Sequence, residues 1–297
     1  MTNPSLLTRR AVIKSAALTA LAVPLGSWLP AAFSADPAAP PTDGAAPNNR
    51  THGIKFGVAT ISLEAESVDT VITVLKQLDI GYASLFRTHA PFEKGTAEAC
   101  RLVAEKFRAG GITPSTTSVV NLTNDEVLMR HAFENVRAAG LSLMTCRPTL
   151  DSLPLAERLA REYDIRLAIH NHGPEDLLYP SPNEAFQAIQ SLDTRIGLCL
   201  DVGHSMRARV DPALAIRRCA PRLFDVHLKD SFAIPGSKTD LPTEVGRGQL
   251  DIQAILRSLV EIRYAGVVAF EYERRGVNPM IGLAESVGFS RGMAAAL

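Results

Sequence analysis

The chain has 297 residues, 46% of them hydrophobic, and its 31 Lys and Arg balance 31 Asp and Glu at a pI near 7.1. Without a basic excess there is no electrostatic footprint for a polyanion, which argues against a nucleic-acid partner. The four cysteines, Cys100, Cys146, Cys199 and Cys219, follow no framework spacing and two fall in apolar runs, so mostly buried free thiols are expected.

The first segments do not read as part of a fold. TRRAVIK (8–14) sets Arg9 and Arg10 ahead of the apolar run SAALTALAVPLGSWLPAA, and Ala32-Phe33-Ser34 offers small residues for cleavage. Residues 1–34 thus have the form of a twin-arginine export signal. The run is short and interrupted by Pro24 and Pro30, which suits a signal better than a membrane span. The expected location is periplasmic or otherwise exported, with no stable membrane association after signal removal. ADPAAPPTDGAAPNN (35–49) has the composition of a tether, so 35–52 is read as a disordered Pro/Ala-rich linker. Residues 53–297 are about the size of one eight-stranded α/β barrel.

From residue 53 apolar runs alternate with amphipathic stretches of helical length. Strands are predicted at 54–60, 80–86, 112–119, 141–147, 165–171, 196–202, 223–229 and 266–272. Helices are predicted at 66–78, 95–109, 124–138, 152–163, 182–191, 211–219, 249–262 and 279–294. Parallel strands need such crossovers, and the strand count gives a single (β/α)8 TIM barrel. Asp151, Ser181 and Asp211 are placed as N-caps, the last two ahead of Pro, with Gly110 and Gly140 as C-caps. ITPSTTSV (112–119) is the least strand-like segment, with a proline and few bulky residues. The connection 230–248, with Pro235, Gly236, Pro242, Gly246 and Gly248, is the longest and is expected to form a lid on the catalytic rim.

Four late segments carry the chemistry: IRLAIHNH (165–172), IGLCLDVGH (196–204), LFDVHLKD (223–230) and VVAFEYE (267–273). Side chains alternate along a strand. One face then collects His170, Asp201, His227 and Glu271 with Ala168, Gly197, Cys199 and Ala269. The other collects Leu167, Ile169, Leu198, Leu200, Phe224, Val226, Leu228, Val268 and Phe270. Small or ionisable groups inside and aliphatics outside suit a barrel whose inner rim holds a divalent ion on carboxylates and imidazoles. The ligand set is expected to be His170, Asp201, His227 and Glu271, with His172 as the alternative to His170. The competing reading of the carboxylates is an internal ion pair of Asp201 and Glu271 with Lys229. Lys229 can steady an oxyanion, while His172, His204, His89 and Arg247 are candidate substrate contacts. Glu273 is left open between the interior and solvent.

LAIHNHG, LCLDVGH, FDVHLKD and GRGQLDIQAILRSLVEIRYAGVVAFEYE, in that order and spacing, resemble the sugar phosphate isomerase/epimerase group of the xylose-isomerase-like barrel superfamily, from about residue 53 onward. The resemblance implies a divalent ion, often manganese, with Mg2+, Co2+ or Zn2+ as alternatives, held by Glu, Asp, His and Glu. Asp201, His227 and Glu271 match that pattern, whereas His170 stands where the first glutamate is usual.

The expected activity is a metal-dependent isomerase or epimerase acting on a small sugar or keto-sugar through a metal-stabilised enediolate. Glu271 or His170 would move the proton, and Lys229 and His204 would steady the oxygens. Export argues for a free sugar over a phosphorylated one. The same chemistry serves a 3-keto-glycoside lyase or hydratase, and a non-catalytic sugar-binding barrel is the alternative from a different class. An apurinic endonuclease would need more metal ligands and a basic groove. A homo-oligomer is compatible with the sequence, which does not fix the state.

Overall fold

Seven of the eight predicted strand runs are apolar on the side that meets the helices, the exception being 112–119, and a strand lies within two residues of each expected position. The computed structural model describes residues 51–234 and 239–297, so the signal and most of the tether fall outside the described residues, as do Pro235 and Gly236. The described residues belong to one structural unit. Its strands are β1 (Lys55–Ala59), β2 (Tyr82–Leu85), β3 (Thr113–Thr117), β4 (Val120–Leu122), β5 (Leu143–Pro148), β6 (Arg166–His170), β7 (Ile196–Asp201), β8 (Leu223–Leu228), β9 (Asp230–Ala233), β10 (Asp240–Thr243) and β11 (Val267–Phe270). Its helices are α1 (Val68–Gln77), α2 (Ala97–Ala109), α3 (Glu126–Ala138), α4 (Leu153–Tyr163), α5 (Pro182–Ile189), α6 (Val202–Arg207), α7 (Pro212–Cys219), α8 (Ile252–Glu261) and α9 (Pro279–Ala295).

Nine strands make one nearly closed parallel sheet in the order β3-β2-β1-β11-β8-β7-β6-β5-β4. The least strand-like segment is where the ring closes. There β3 pairs with β2, and a further short strand, β4, just past the predicted segment, pairs with β5. Between β3 and β5 threonine side chains supply the hydrogen bonds. Thr116 Oγ1 donates to Leu143 O (3.2 Å) and accepts from Thr145 N (3.0 Å), and Thr117 Oγ1 donates to Thr145 O (3.1 Å). These hydroxyls are fully buried, so their pairing is obligatory.

The helices pack apolar stripes on the outer face of the sheet. Ile252, Ile255, Leu256 and Leu259 of α8 are buried, and Leu200, Val226 and Leu228 of the strands have no exposed surface. Truncating one such leucine to alanine costs about 2–5 kcal/mol. Among the described residues no helix is long and apolar enough to cross a membrane.

Local expectations mostly hold. Ser181 and Asp211 cap their helices by accepting from Asn183 N and from Ala213 N and Leu214 N. Asp151 does not cap: it lies inside a single turn, Leu150–Ser152, and Ser152 precedes α4 with its hydroxyl donated to Leu122 O and Thr149 O. Gly140 follows α3 at φ +69°, as a helix-ending glycine should. Gly110 ends α2 with a right-handed backbone, and Gly111 supplies the positive φ. Gly110 is small for another reason, since a Cβ there would stand 2.5 Å from Ile72 Cγ2.

Two features depart from strand parity and loop expectation. The register between β7 and β8 shifts at Leu198/Cys199, so Phe224 turns inward against Leu143, Ala168 and Cys199 instead of outward. The connection 230–248 contains the antiparallel hairpin β9–β10 and a tight turn after it. Asp230 organises that turn: Oδ1 accepts from Ser231 N (2.9 Å) and Leu250 N (3.2 Å), and Oδ2 from Gly246 N (3.0 Å) and Gly248 N (2.9 Å).

Candidate active site and metal centre

Neighbouring strands β6, β7, β8 and β11 deliver one side chain each to a common point at their C-terminal ends. His170 ends β6, Asp201 ends β7, His227 lies one residue from the end of β8, and Glu271 follows β11. They are 1%, 0%, 2% and 8% exposed. One ligand atom from each lies within 4.8 Å of all the others. His170 Nε2 is 3.2 Å from His227 Nδ1 and 3.5 Å from Asp201 Oδ2, while His227 Nδ1 is 2.5 Å from Glu271 Oε2 and 4.0 Å from Asp201 Oδ2. Four ligands at about 2.1 Å from a tetrahedral ion sit about 3.4 Å apart. The observed separations bracket that value. Asp201 Oδ2 is buried with no hydrogen bond, the state expected of an oxygen reserved for an ion or a ligand. The donor set therefore fits a divalent cation.

The ion pair weighed against the metal reading is also present. Lys229 is buried with Nζ 2.9 Å from Glu271 Oε1, 2.7 Å from Glu273 Oε2 and 3.1 Å from Asp201 Oδ2, the last out of line for a hydrogen bond. Burial opposes the charge on Lys229, but Asp201, Glu271 and Glu273 outweigh it and hold the ammonium well above its usual range. For Asp201 burial favours the neutral acid, and His204 and Lys229 overcome it to keep the carboxylate ionised. Glu273 thus reaches inward while remaining partly in water. Burial, helped by His227 and His172, lowers His170 to about 4 against the pull of Asp201, leaving a neutral imidazole.

His172 is stacked edge-on above His170 with ring centres 4.8 Å apart and belongs to the cavity wall, not to the four-atom set. Its Nδ1 is buried without a partner. His204 stands on α6, with Nε2 3.9 Å from Asp201 Oδ2. Asp201 caps that helix by accepting from His204 N at 2.7 Å.

Two expected contacts are elsewhere. His89 is buried away from the cavity, its ring nitrogens 3.0 Å from Thr60 Oγ1 and 3.1 Å from Glu66 O, where it ties the loop after β2 to the turn after β1. Arg247 lies at the surface with its guanidinium on Glu285 of α9 (Nη2 to Oε2, 2.7 Å). The turn built on Asp230 points it outward.

Three residues escaped the sequence reading. Asp225 lies beneath His227, with Oδ2 3.5 Å from Nε2, and accepts from Thr145 Oγ1 (3.2 Å) and Cys199 Sγ (3.4 Å). Its position two residues before His227, on the same face, was the available signal. Asn171 locks the end of β7 by accepting from Asp201 N (3.0 Å) and donating to Asp201 O (3.2 Å). Arg207 contacts His204. The cavity lined by His170, His227 and Glu271 together with His172 and His204 is about 240 Å3, and it adjoins a cleft of about 560 Å3 with which it shares Ile61, Phe86, Arg87 and Glu273.

No curated protein matches this chain. Among solved structures it is similar to an uncharacterised protein from Parabacteroides distasonis, at 25% identity over 80% of this chain and 98% of that one, TM-score 0.61. It is similar to the IOLI protein with a bound zinc atom, at 16% identity over 82% and 99%, TM-score 0.68. It is also similar to 3-keto-D-glucoside 4-epimerase, YcjR, from E. coli, at 15% identity over 80% and 99%, TM-score 0.65. The family model described as xylose isomerase-like TIM barrel matches residues 145–293, which hold all four converging side chains. The chain belongs to the xylose isomerase-like TIM barrel family.

Proposed function

We propose that the protein is a metal-dependent enzyme of isomerase or epimerase type that moves a proton at the carbon beside the carbonyl of a free sugar or keto-sugar. The observation that carries this reading is the convergence of His170, Asp201, His227 and Glu271 at a small cavity of mixed lining, with Lys229 beside them. A bound divalent ion, manganese or another of its class, would supply a Lewis acid that polarises the substrate carbonyl. Asp201, His227 and His170 hold their positions through Asn171, Asp225 and each other. Glu271, hydrogen-bonded to Lys229 through Oε1, is placed to take or return the proton through Oε2. The Lys229 ammonium steadies negative charge that develops on the neighbouring oxygens. A cavity of about 240 Å3 is at the small end for ligand sites and suits one sugar ring, with the adjoining cleft available to a larger substituent.

One feature favours elimination as a second reading. Of the converging residues that line the cavity, His170, His227 and Glu271, only Glu271 is a carboxylate, so it is the one base of that kind among them. That suits isomerisation, or a lyase or hydratase acting on a 3-keto-glycoside, better than proton transfer on two faces. Export through Arg9 and Arg10 completes the proposal and makes an unphosphorylated substrate the natural partner. The test combines metal analysis of purified protein with solvent deuterium wash-in on a panel of ketoses and 3-keto-glycosides. Deuterium should enter next to the carbonyl, and Glu271→Gln should abolish entry with the ion still bound. Wild-type exchange in that variant would move the base elsewhere, and no exchange on any substrate would favour a sugar-binding role.

A further inference from the structure

Arg207, the last residue of α6, carries a guanidinium almost wholly buried behind His204, with no part in proton transfer. Its Nη1 lies 2.8 Å from His204 Nδ1. Its other nitrogens reach Glu175, in the connection after β6, and Asp240 of β10, where Nε stands 3.4 Å from Oδ1. Gly173 makes the space. At φ +92° it is a position for glycine, and a Cβ there would stand 3.0 Å from Arg207 Nη1.

A guanidinium has donors and no acceptor. The His204 nitrogen facing it must therefore present a lone pair, which leaves the ring's N–H on Nε2. That nitrogen is on the side of Asp201 and the cavity. We propose that Arg207 is a positioning residue that fixes His204 as the Nε2–H tautomer, so that a ring able to present either nitrogen offers the cavity a hydrogen-bond donor only. The partner of such a donor is a substrate carbonyl or the oxyanion it becomes. His204 then acts as a fixed dipole that needs no reorganisation during reaction. Through Glu175 and Asp240 the same guanidinium also pairs with the connection after β6 and with β10.

The catalytic consequence rests on the functional reading above, whereas the tautomer can be measured without any substrate. Long-range proton–nitrogen NMR on histidine-labelled protein, assigned by difference with His204→Gln, should find His204 Nε2 protonated and Nδ1 bare at neutral pH. Arg207→Met should redistribute the proton over both nitrogens. Arg207→Lys, whose ammonium also only donates, should restore Nε2–H, as a merely space-filling role would not require. A wild-type proton on Nδ1, or an unchanged ring in Arg207→Met, overturns the proposal. Should Arg207→Met fail to fold, the wild-type tautomer and Gly173→Ala, which crowds the guanidinium, decide the question. On any keto-sugar the wild type exchanges, Arg207→Met should lower kcat by about 10- to 100-fold, at or below the loss of one oxyanion donor, with KM within about threefold. A wild type that exchanges no keto-sugar counts against the functional reading alone, because the NMR result stands by itself.

Discussion

Replacing Asp230 by asparagine tests how the segment beyond β8 is held. The carboxylate receives four backbone N–H groups, two on each oxygen: Ser231 and Leu250 on Oδ1, Gly246 and Gly248 on Oδ2. Asparagine has nearly the same shape, so no cavity is made, but one oxygen becomes an NH2. Whichever way the amide turns, two N–H groups face a donor and lose their acceptor. Gly248 lies close against the carboxylate, since a Cβ on it would clash with Asp230 Oδ1. An orphaned donor costs about 1–3 kcal/mol, so the pair predicts a loss of about 2–6 kcal/mol. Urea unfolding should show a lower midpoint at unchanged slope, and amide exchange at Gly246, Gly248 and Leu250 should accelerate. Wild-type exchange at those amides together with an unshifted midpoint would refute the assignment of the turn to this carboxylate.

Asp201→Ala should remove most of the bound ion, exceeding the roughly 10- to 100-fold loss that a partner outside the ligand set produces; full metal content by elemental analysis would contradict the ligand set. Burial raises Asp176, but two hydrogen bonds from Arg147 and the Leu178 and Tyr179 amides bring it down to about 2. Its folded value is thus below the unfolded value near 3.8, so its contribution is complete above that pH and is lost as pH falls toward 2, an effect of about 2 kcal/mol. Arg147→Met should flatten this acid limb in a stability-against-pH series, and an unchanged limb would show that the pair is not responsible. Changing Arg9 and Arg10 to lysine should stop export while leaving the barrel folded, which fractionation and circular dichroism would check; undiminished export would refute the signal.

The barrel was legible because its strands are buried on both faces and most of its helices are amphipathic, which are the two patterns that survive without an alignment. Alternation alone brought His170, Asp201, His227 and Glu271 together, since side chains two apart on a straight strand share a face. It failed at Phe224, where a register shift between β7 and β8 reverses the face and nothing in LFDVHLKD announces it. His89 and Arg247 were misplaced for a different reason. Sequence put each on the correct rim, but direction depended on distant partners, Thr60 and Glu66 for one and Glu285 for the other. The short pieces α6, β4, β9 and β10 have too few residues to show a period. Asp225 and Asp230 carried weak signals: one shares a face with His227, and the other precedes a Gly-Arg-Gly turn whose bare amides need an acceptor.

The closure at β3 sets this ring apart from one welded by main chain all the way round. It is fastened by a clasp of side-chain hydroxyls, and the clasp continues inward. Thr116 meets Thr145, Thr145 donates to Asp225, and Asp225 lies under His227. One polar thread therefore runs from the last junction of the wall across the floor to a candidate ligand. Thr145 is thus shared between the seam and the floor, bonded to Thr116 on one side and to Asp225 on the other, so a change there bears on both.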